Sequence, residues 1–547
     1  MSVEPEGISP NRFYWTYDVP NGHYQSPFHP ESCMKPLPVS TLVETLSFRA
    51  ASMPDALAYA FDSERMSYGQ LHVDVGRIAR GLAVGGLQRG DRCAVLLPTS
   101  LDFVRAFYGV QTAGAVPLAI NPELPPPFLI SRLEAVQCRR ALVPRSRLDS
   151  FPRHESIQFQ AMEDLAQSPA RGGELPGPSP EDGALLAATS GTSGEHRTAL
   201  LLHRNLMASV RSSAERLEIR PDDVLVNWAP LYHGLGLMRF LLGGLYFGCP
   251  VYLVSPALLQ IRRWLETITR VRATVTGAPD FGFRMAAELV KPEGLDLRSL
   301  RYAMNSGEPI RLSTIERFEK KFGVPDVIRP GYGLSEANGV SNMAVGESLR
   351  TDAAGNLSCG RAADGLRLEI VDEAGQPQPP GTAGEIRLFG EQVFAGYCDD
   401  EAATREKLRD GWLYTGDIGH LDTDGHLYIQ GRKRALIKRG GAMIVPRDVE
   451  EPAEQVAGVL AAGAIGVDRS SLGIEDLVVV VEVAPDQAES EETRTQVIRD
   501  VAEAISKSRG LTPNAVVVVP RGTIPRTPNG KLRHEELKRL FLDGKLR

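Results

Sequence analysis

Apolar positions along this chain fall into two alternating rhythms. From residue 42 onward, segments with apolar residues three and four apart, such as 70–84 and 100–113, predict amphipathic helices. Short uninterrupted apolar runs between and beside them, at 92–97 and 116–120, predict buried strands, so the first part of the chain reads as α/β. The stretch 168–182 is dense in Pro, Gly and Ser and predicts a surface connector ahead of a strand at 184–188. Later runs at 366–371, 385–388 and 427–429 are strand-like and separated by turns at 372–375 and 424–425, the pattern of a small β-rich subdomain. After Gly431 the composition changes again, and a strand at 477–483, a helix at 491–508 and a strand at 515–519 predict a compact α+β unit. Residues 1–40, rich in Pro and aromatics without periodicity, are expected to form an extended arm.

One apolar segment needs a separate decision. Residues 241–259 are uncharged and long enough for a bilayer, but Gly243, Gly244, Gly248, Pro250, Ser255 and Pro256 interrupt any continuous helix. The expectation is a buried helix, a turn and a strand. At 547 residues the chain exceeds a single ordinary core, so two domains are expected, at 1–432 and 433–547.

A net charge of −7 gives no basic field, which argues against a nucleic-acid partner. The six cysteines form no CxxC pair and the ten histidines no ligand-spaced cluster, so neither a zinc site nor a disulfide framework is expected. No basic stretch followed by an apolar run opens the sequence, and the expected location is the cytoplasm, without a transmembrane segment.

Candidate chemistry begins directly after the strand at 184–188. Thr189, Ser190, Gly191, Thr192, Ser193 and Gly194 supply small residues, hydroxyls and open backbone N–H groups, the parts needed to hold phosphate oxygens at close range. Alone, such a turn is common, and it lacks the Lys-Ser/Thr ending of the usual nucleotide loop. Five further segments follow it: 230–236 (PLYHGLG), 331–336 (GYGLSE), 411–417 (GWLYTGD), 431–441 (GRKRALIKRGG) and 525–531 (PRTPNGK). Taken together and in this order, they resemble the adenylate-forming superfamily of acyl-CoA synthetases, fatty acyl-AMP ligases and luciferases, over nearly the whole chain.

That resemblance implies an ATP-dependent ligase with a large N-terminal adenylation domain and a small, mobile C-terminal domain. It implies that residues 189–194 hold the ATP phosphates and that Tyr332 stacks on adenine. Residues 305–309, with Gly307, Glu308 and Pro309, would line the adenine slot through backbone groups, next to Gly333. Glu336 would bind Mg²⁺, a hard ion suited to carboxylate oxygen, and Ser335 would offer its hydroxyl to the α-phosphate. Asp417 would accept from both ribose hydroxyls, with Arg432 as a second ribose contact. Lys531 would stabilise the charge that builds as the acid attacks phosphorus, and His233 would stand beside the acyl entrance. Arg434 occupies the hinge position, where relatives usually have Asp or Lys, and Gly440 and Gly441 would let a pantetheine arm pass close to backbone. Where relatives usually read Pro, Lys, Gly after the phosphate loop, this chain has His196, Arg197 and Thr198.

The resemblance also implies that the acceptor is a phosphopantetheine thiol, on a carrier protein or on CoA. Segments 305–311 (NSGEPIR), 445–450 (VPRDVE) and the tail 522–546 look most like the fatty acyl-AMP ligase branch, which loads acyl carrier proteins. Against this, 407–416 runs straight into GWLYTGD, with no room for the insertion typical of that branch. Amino-acid-activating relatives carry an Asp where this chain has Leu231, Tyr232, His233 and Gly234, so the acid is expected to be uncharged and apolar beyond its carboxylate. A catalytically silent scaffold is the reading from another class, opposed by the presence of Glu336, Asp417 and Lys531 together.

Overall fold

Strands Val116–Ala119, Arg92–Val95, Arg140–Val143 and Gln158–Ala161 pair in parallel and form one half of a seven-stranded sheet. Gly183–Ala188 continues it in parallel, and Thr198–Leu202 turns back antiparallel. The computed structural model describes residues 37–167, 175, 177–188, 197–439, 442–468, 475–485, 488, 491–526 and 532–546. The expected arm at 1–40 therefore lies almost wholly outside the described residues, as does much of the connector at 168–182. A second, nine-stranded sheet has a parallel centre of Ile328–Leu334, Tyr302–Asn305, Val275–Ala278, Leu225–Asn227 and Val251–Leu253.

Helices begin where side chains can satisfy their first N–H groups. Thr41 and Glu44 form a capping box for Leu42–Ser52, Ser67 caps Tyr68–Val84, and Ser100 caps Leu101–Thr112. Gly109 lets the last two helices meet closely, since a Cβ there would lie 2.5 Å from Ile78 Cγ2. Leu71, Val75, Ile78, Phe103 and Phe107 join the apolar core that both large sheets share. A second core gathers Trp228, Trp264, Phe283 and Phe318 under the nine-stranded sheet. The four buried cysteines Cys93, Cys138, Cys249 and Cys359 are unpaired packing residues.

The predicted β-rich subdomain is a five-stranded antiparallel sheet that includes Leu366–Val371, Gly384–Gly390, Trp412–Leu421 and Leu427–Arg432. The smaller C-terminal domain has a three-stranded sheet of Ala461–Asp468, Glu475–Val483 and Ala515–Pro520, covered by Pro446–Glu454, Glu491–Arg509 and His534–Leu542. The segment with bilayer length resolves into a π-helix at Leu235–Leu242, a helix at Gly243–Phe247 that stops at Gly248 (φ 75°), and strand Val251–Leu253. Among the described residues no helix is long and apolar enough to cross a membrane.

Burial also makes the fold acid-sensitive. His203 is 1% exposed, accepts from the Leu42 N–H through Nδ1 at 3.4 Å, and burial pushes its pKa from 6.5 down to about 4. A depressed imidazole pKa means the unfolded chain takes up a proton first as pH falls. Stability from His203 is therefore expected to be complete above pH 6.5 and to decline as pH drops toward about 4. Urea titrations across that window should show the loss, and His203→Gln should flatten it.

Candidate active site

The strands Tyr302–Asn305 and Ile328–Leu334 run side by side and end at the rim of a cavity of about 1140 Å³. Crevices at the carboxyl ends of parallel strands are the usual ligand sites of α/β sheets. Beyond Asn305 the chain turns at Gly307 (φ 94°), a left-handed conformation that favours glycine. Glu308 then directs its carboxylate inward, where Oε1 accepts from the Phe281 N–H at 2.7 Å at the start of helix Asp280–Leu289, and burial raises its pKa. Asp280 Oδ1 accepts from the Arg311 N–H at 3.2 Å. These bonds fix the loop, so that Gly307, Glu308 and Pro309 line the cavity.

The same cavity is lined by Tyr332, Gly333, Ser335 and Glu336 from the end of the adjacent strand. Asp417 reaches it from the β-rich subdomain. Antiparallel register places Asp417 opposite Arg432, and Arg432 Nε donates to Asp417 Oδ1 at 2.7 Å. Tyr332 Oη donates to Asp417 Oδ2 at 2.5 Å. Asp417 is only 4% exposed, and its charge raises the Arg432 pKa. Burial first, and Asp417 second, hold the Tyr332 phenol protonated.

Glu336 accepts from Tyr397 Oη through Oε1 at 2.6 Å. Arg197 lies over the Tyr397 ring at 5.4 Å and reaches Glu406 at 3.4 Å. Glu406 also accepts from Arg434 at 3.0 Å, so one carboxylate links the residue after the phosphate loop with the hinge position. Lys407 lies nearby, its Nζ donating to the Thr415 carbonyl at 3.3 Å. Burial lowers its pKa, opposed by the charges of Glu336 and Glu385. Tyr397 and Lys407 belong to no motif read from the sequence. Pairing of Gly396–Tyr397 with Thr198–Leu202 brings Tyr397 in, and helix Glu401–Lys407 ends beside the site.

His233 lines the cavity from just ahead of the π-helix, and its carbonyl accepts from the Leu237 N–H at 2.9 Å. Its ring neighbours Gly307, since a Cβ at Gly307 would stand 3.4 Å from His233 Cε1. The structure thus brings His233, residues 307–309, Tyr332, Gly333, Ser335, Glu336, Asp417, Arg432 and Arg434 to one cavity. Thr189 to Gly194, Gly440, Gly441 and Lys531 lie outside the described residues. Their described neighbours Ala188, Arg197, Arg526 and Leu532 line the same cavity.

The small domain closes one side. Arg311 pairs with Glu454, Arg447 Nη2 reaches the Ile310 carbonyl at 3.5 Å, and Arg509 donates to the Ala354 carbonyl at 3.0 Å. Segments 305–311 and 445–450, singled out separately in the sequence, therefore meet in the domain interface. Where an insertion was sought, helix Glu401–Lys407 passes into a tight hairpin turned by Asp410 (φ 52°) and Gly411 (φ 79°).

The model of the AMP-binding enzyme family matches residues 46–398. The chain belongs to this family. It is an adenylate-forming acyl ligase, as the family match and the adenylate-ligase neighbours below establish. A medium-chain-fatty-acid–[acyl-carrier-protein] ligase of Moorena producens is 28% identical, with 93% of this chain and 96% of the relative covered. A sulfoacetate–CoA ligase of Cupriavidus necator is 29% identical, covering 91% and 97%. Among solved structures, one from work on fatty acyl-adenylate ligases of E. coli and L. pneumophila superimposes with a TM-score of 0.84 at 28% identity, over 93% of this chain and 98% of that one. AMP-binding enzymes use ATP with Mg²⁺.

Proposed function

We propose that this enzyme activates a fatty or other apolar-chain carboxylic acid as its acyl adenylate and transfers the acyl group to the phosphopantetheine thiol of an acyl carrier protein. The observation that supports it is the meeting of Asp417, Arg432, Tyr332 and Glu336 on one cavity next to His233 and the 307–309 loop. In this reading the 307–309 backbone and the Tyr332 ring hold adenine, and Asp417 holds the ribose hydroxyls. The acid enters past His233. Its carboxylate oxygen attacks the α-phosphorus, the bond to the bridging oxygen breaks, and pyrophosphate leaves with the electron pair. Lys531 stabilises the charge on the attacking and α-phosphate oxygens.

Among the described residues no three His, Cys, Asp or Glu side chains gather as a metal cage. Glu336 does present a hard carboxylate on the cavity wall, which fits Mg²⁺, an ion commonly held by one or two carboxylates together with substrate phosphates and water. Bound there, Mg²⁺ supplies positive charge to the phosphate oxygens.

For the second step, rotation about Arg434 at a boundary between 432 and 433 would bring Gly440 and Gly441 to the site as the pantetheine passage. The Glu406–Arg434 ion pair would have to open. The thiol, losing its proton, then attacks the acyl carbon, and AMP departs as the C–O bond breaks. A carrier protein is favoured by the contact between segments 305–311 and 445–450 and by the name of the Moorena relative. CoA is the second reading, favoured by the tight Asp410–Gly411 hairpin and by the Cupriavidus relative. A cytoplasmic location belongs to the same proposal. Acid-dependent exchange of pyrophosphate into ATP, with acyl-AMP identified by mass, tests the first step; no exchange with any acid would overturn it.

A further inference from the structure

Arg239 sits on the π-helix Leu235–Leu242, about one π-turn beyond Gly234 and His233, and lines the same cavity. Around it are apolar residues, Leu235, Leu237 and Met238. Among the described residues its guanidinium makes no hydrogen bond and no ion pair. The one titratable group acting on it is the Tyr302 phenol, which burial keeps protonated and therefore uncharged. Burial lowers the Arg239 pKa to about 10, so the side chain remains a cation at neutral pH. The side chain is half-buried on the cavity wall, and a cation set among apolar residues with no protein counter-ion is placed to receive an anion from a bound molecule.

The surroundings make room for this cation and extend its polarity. Gly339 (φ 70°) faces the guanidinium, and a Cβ there would collide with Nη2. Asn338, the residue before Gly339, lines the cavity as well. A cation on the cavity wall that meets no protein acceptor is an anion site whose ligand arrives with the substrate. A purely hydrocarbon acyl chain would leave Arg239 without a counter-ion.

We infer that the acid bears a second anionic group, a carboxylate or sulfonate on its far end, which Arg239 binds while the first carboxylate is adenylated. This rests on the adenylation reading and revises the expected uncharged acid: the chain between its two ends is apolar, the far end is not. Arg239 is a specificity-determining residue that takes no part in bond making.

The test compares succinate, adipate and sebacate with butanoate, hexanoate and decanoate in acyl-AMP formation, for the wild type, Arg239→Met and Arg239→Lys. The wild type should prefer one diacid over its monoacid counterpart. Arg239→Met should lower that ratio by about 10- to 100-fold, the loss expected when a charge-assisted hydrogen bond to the far anion is removed, and Arg239→Lys should recover part of it. A wild-type preference for the monoacids, or a ratio that Arg239→Met does not move, overturns the inference. Were Arg239→Met not to fold, the wild-type ratio decides alone. Calorimetric titration of adipate and hexanoate into protein holding AMP separates the two proposals. Binding of adipate but not hexanoate, with no adenylate from any acid, would sink the ligase reading and keep the anion site. Equal binding of the two would sink the anion site.

Discussion

Lys531→Ala is expected to slow acyl-AMP formation by about 100- to 1,000-fold, the usual consequence of deleting one preorganised charge from a transition state. The chain on either side of Lys531 supports this. Pro525 accepts from the Arg533 N–H at 3.0 Å, Arg526 bridges to Leu532, and both of these residues line the cavity. As the acid's carboxylate closes on the α-phosphate, two anions must approach, and their repulsion is largest at the transition state. In the proposed role the Lys531 ammonium acts on that state more than on bound ATP, so kcat should fall while the KM for ATP changes little. Acyl transfer from synthetic acyl-AMP to the thiol needs no such approach and should keep most of its rate. Equal loss in both half-reactions would mean Lys531 supports the fold of the small domain instead.

Asp417→Ala is expected to cost about 100-fold in kcat/KM for ATP and about 2 kcal/mol in stability. Both carboxylate oxygens are engaged, one by Arg432 at 2.7 Å and one by Tyr332 at 2.5 Å, and the residue is 4% exposed. Its removal leaves two donors unpaired beside the nucleotide. Hydrogen bonds to a charged acceptor are each worth roughly 1.5–3 kcal/mol, so loss of the ribose contacts alone accounts for the kinetic effect. Asp417→Asn, which keeps one acceptor, should lose less of both. The assignment to ribose makes a sharper demand: the wild type should discriminate against 2′-deoxy-ATP, and Asp417→Ala should not. Discrimination that survives the substitution would assign Asp417 to the fold alone.

Much of this site is legible in the sequence because its residues act from short segments with fixed local geometry. Tyr332 and Gly333 sit near the end of one strand and Ser335 and Glu336 follow it, and Asp417 and Arg432 are set opposite each other by a hairpin register. The helix at 100–113 could be placed to within a residue because Ser100 caps it. What local pattern could not give are side chains brought in from elsewhere. Tyr397 arrives through a two-residue edge strand, and Lys407 through a helix end. Arg239 was invisible for a different reason: it stands within an apolar run that reads as buried, and the π-helix that presents it departs from the 3.6-residue period used to read helices. The expectation of an apolar acid came from a missing Asp at 231–234, a position that says nothing about the depth of the pocket.

The central claim is a two-step ligation through acyl-AMP to a phosphopantetheine thiol. Its most direct test follows product mass when the protein is given ATP, Mg²⁺ and the preferred acid, with no acceptor, with CoA, or with a phosphopantetheinylated carrier protein. The account predicts acyl-AMP in every mixture and a thioester on the carrier protein; acyl-AMP that passes to CoA and never to the carrier, or no acyl-AMP in any mixture, would contradict it.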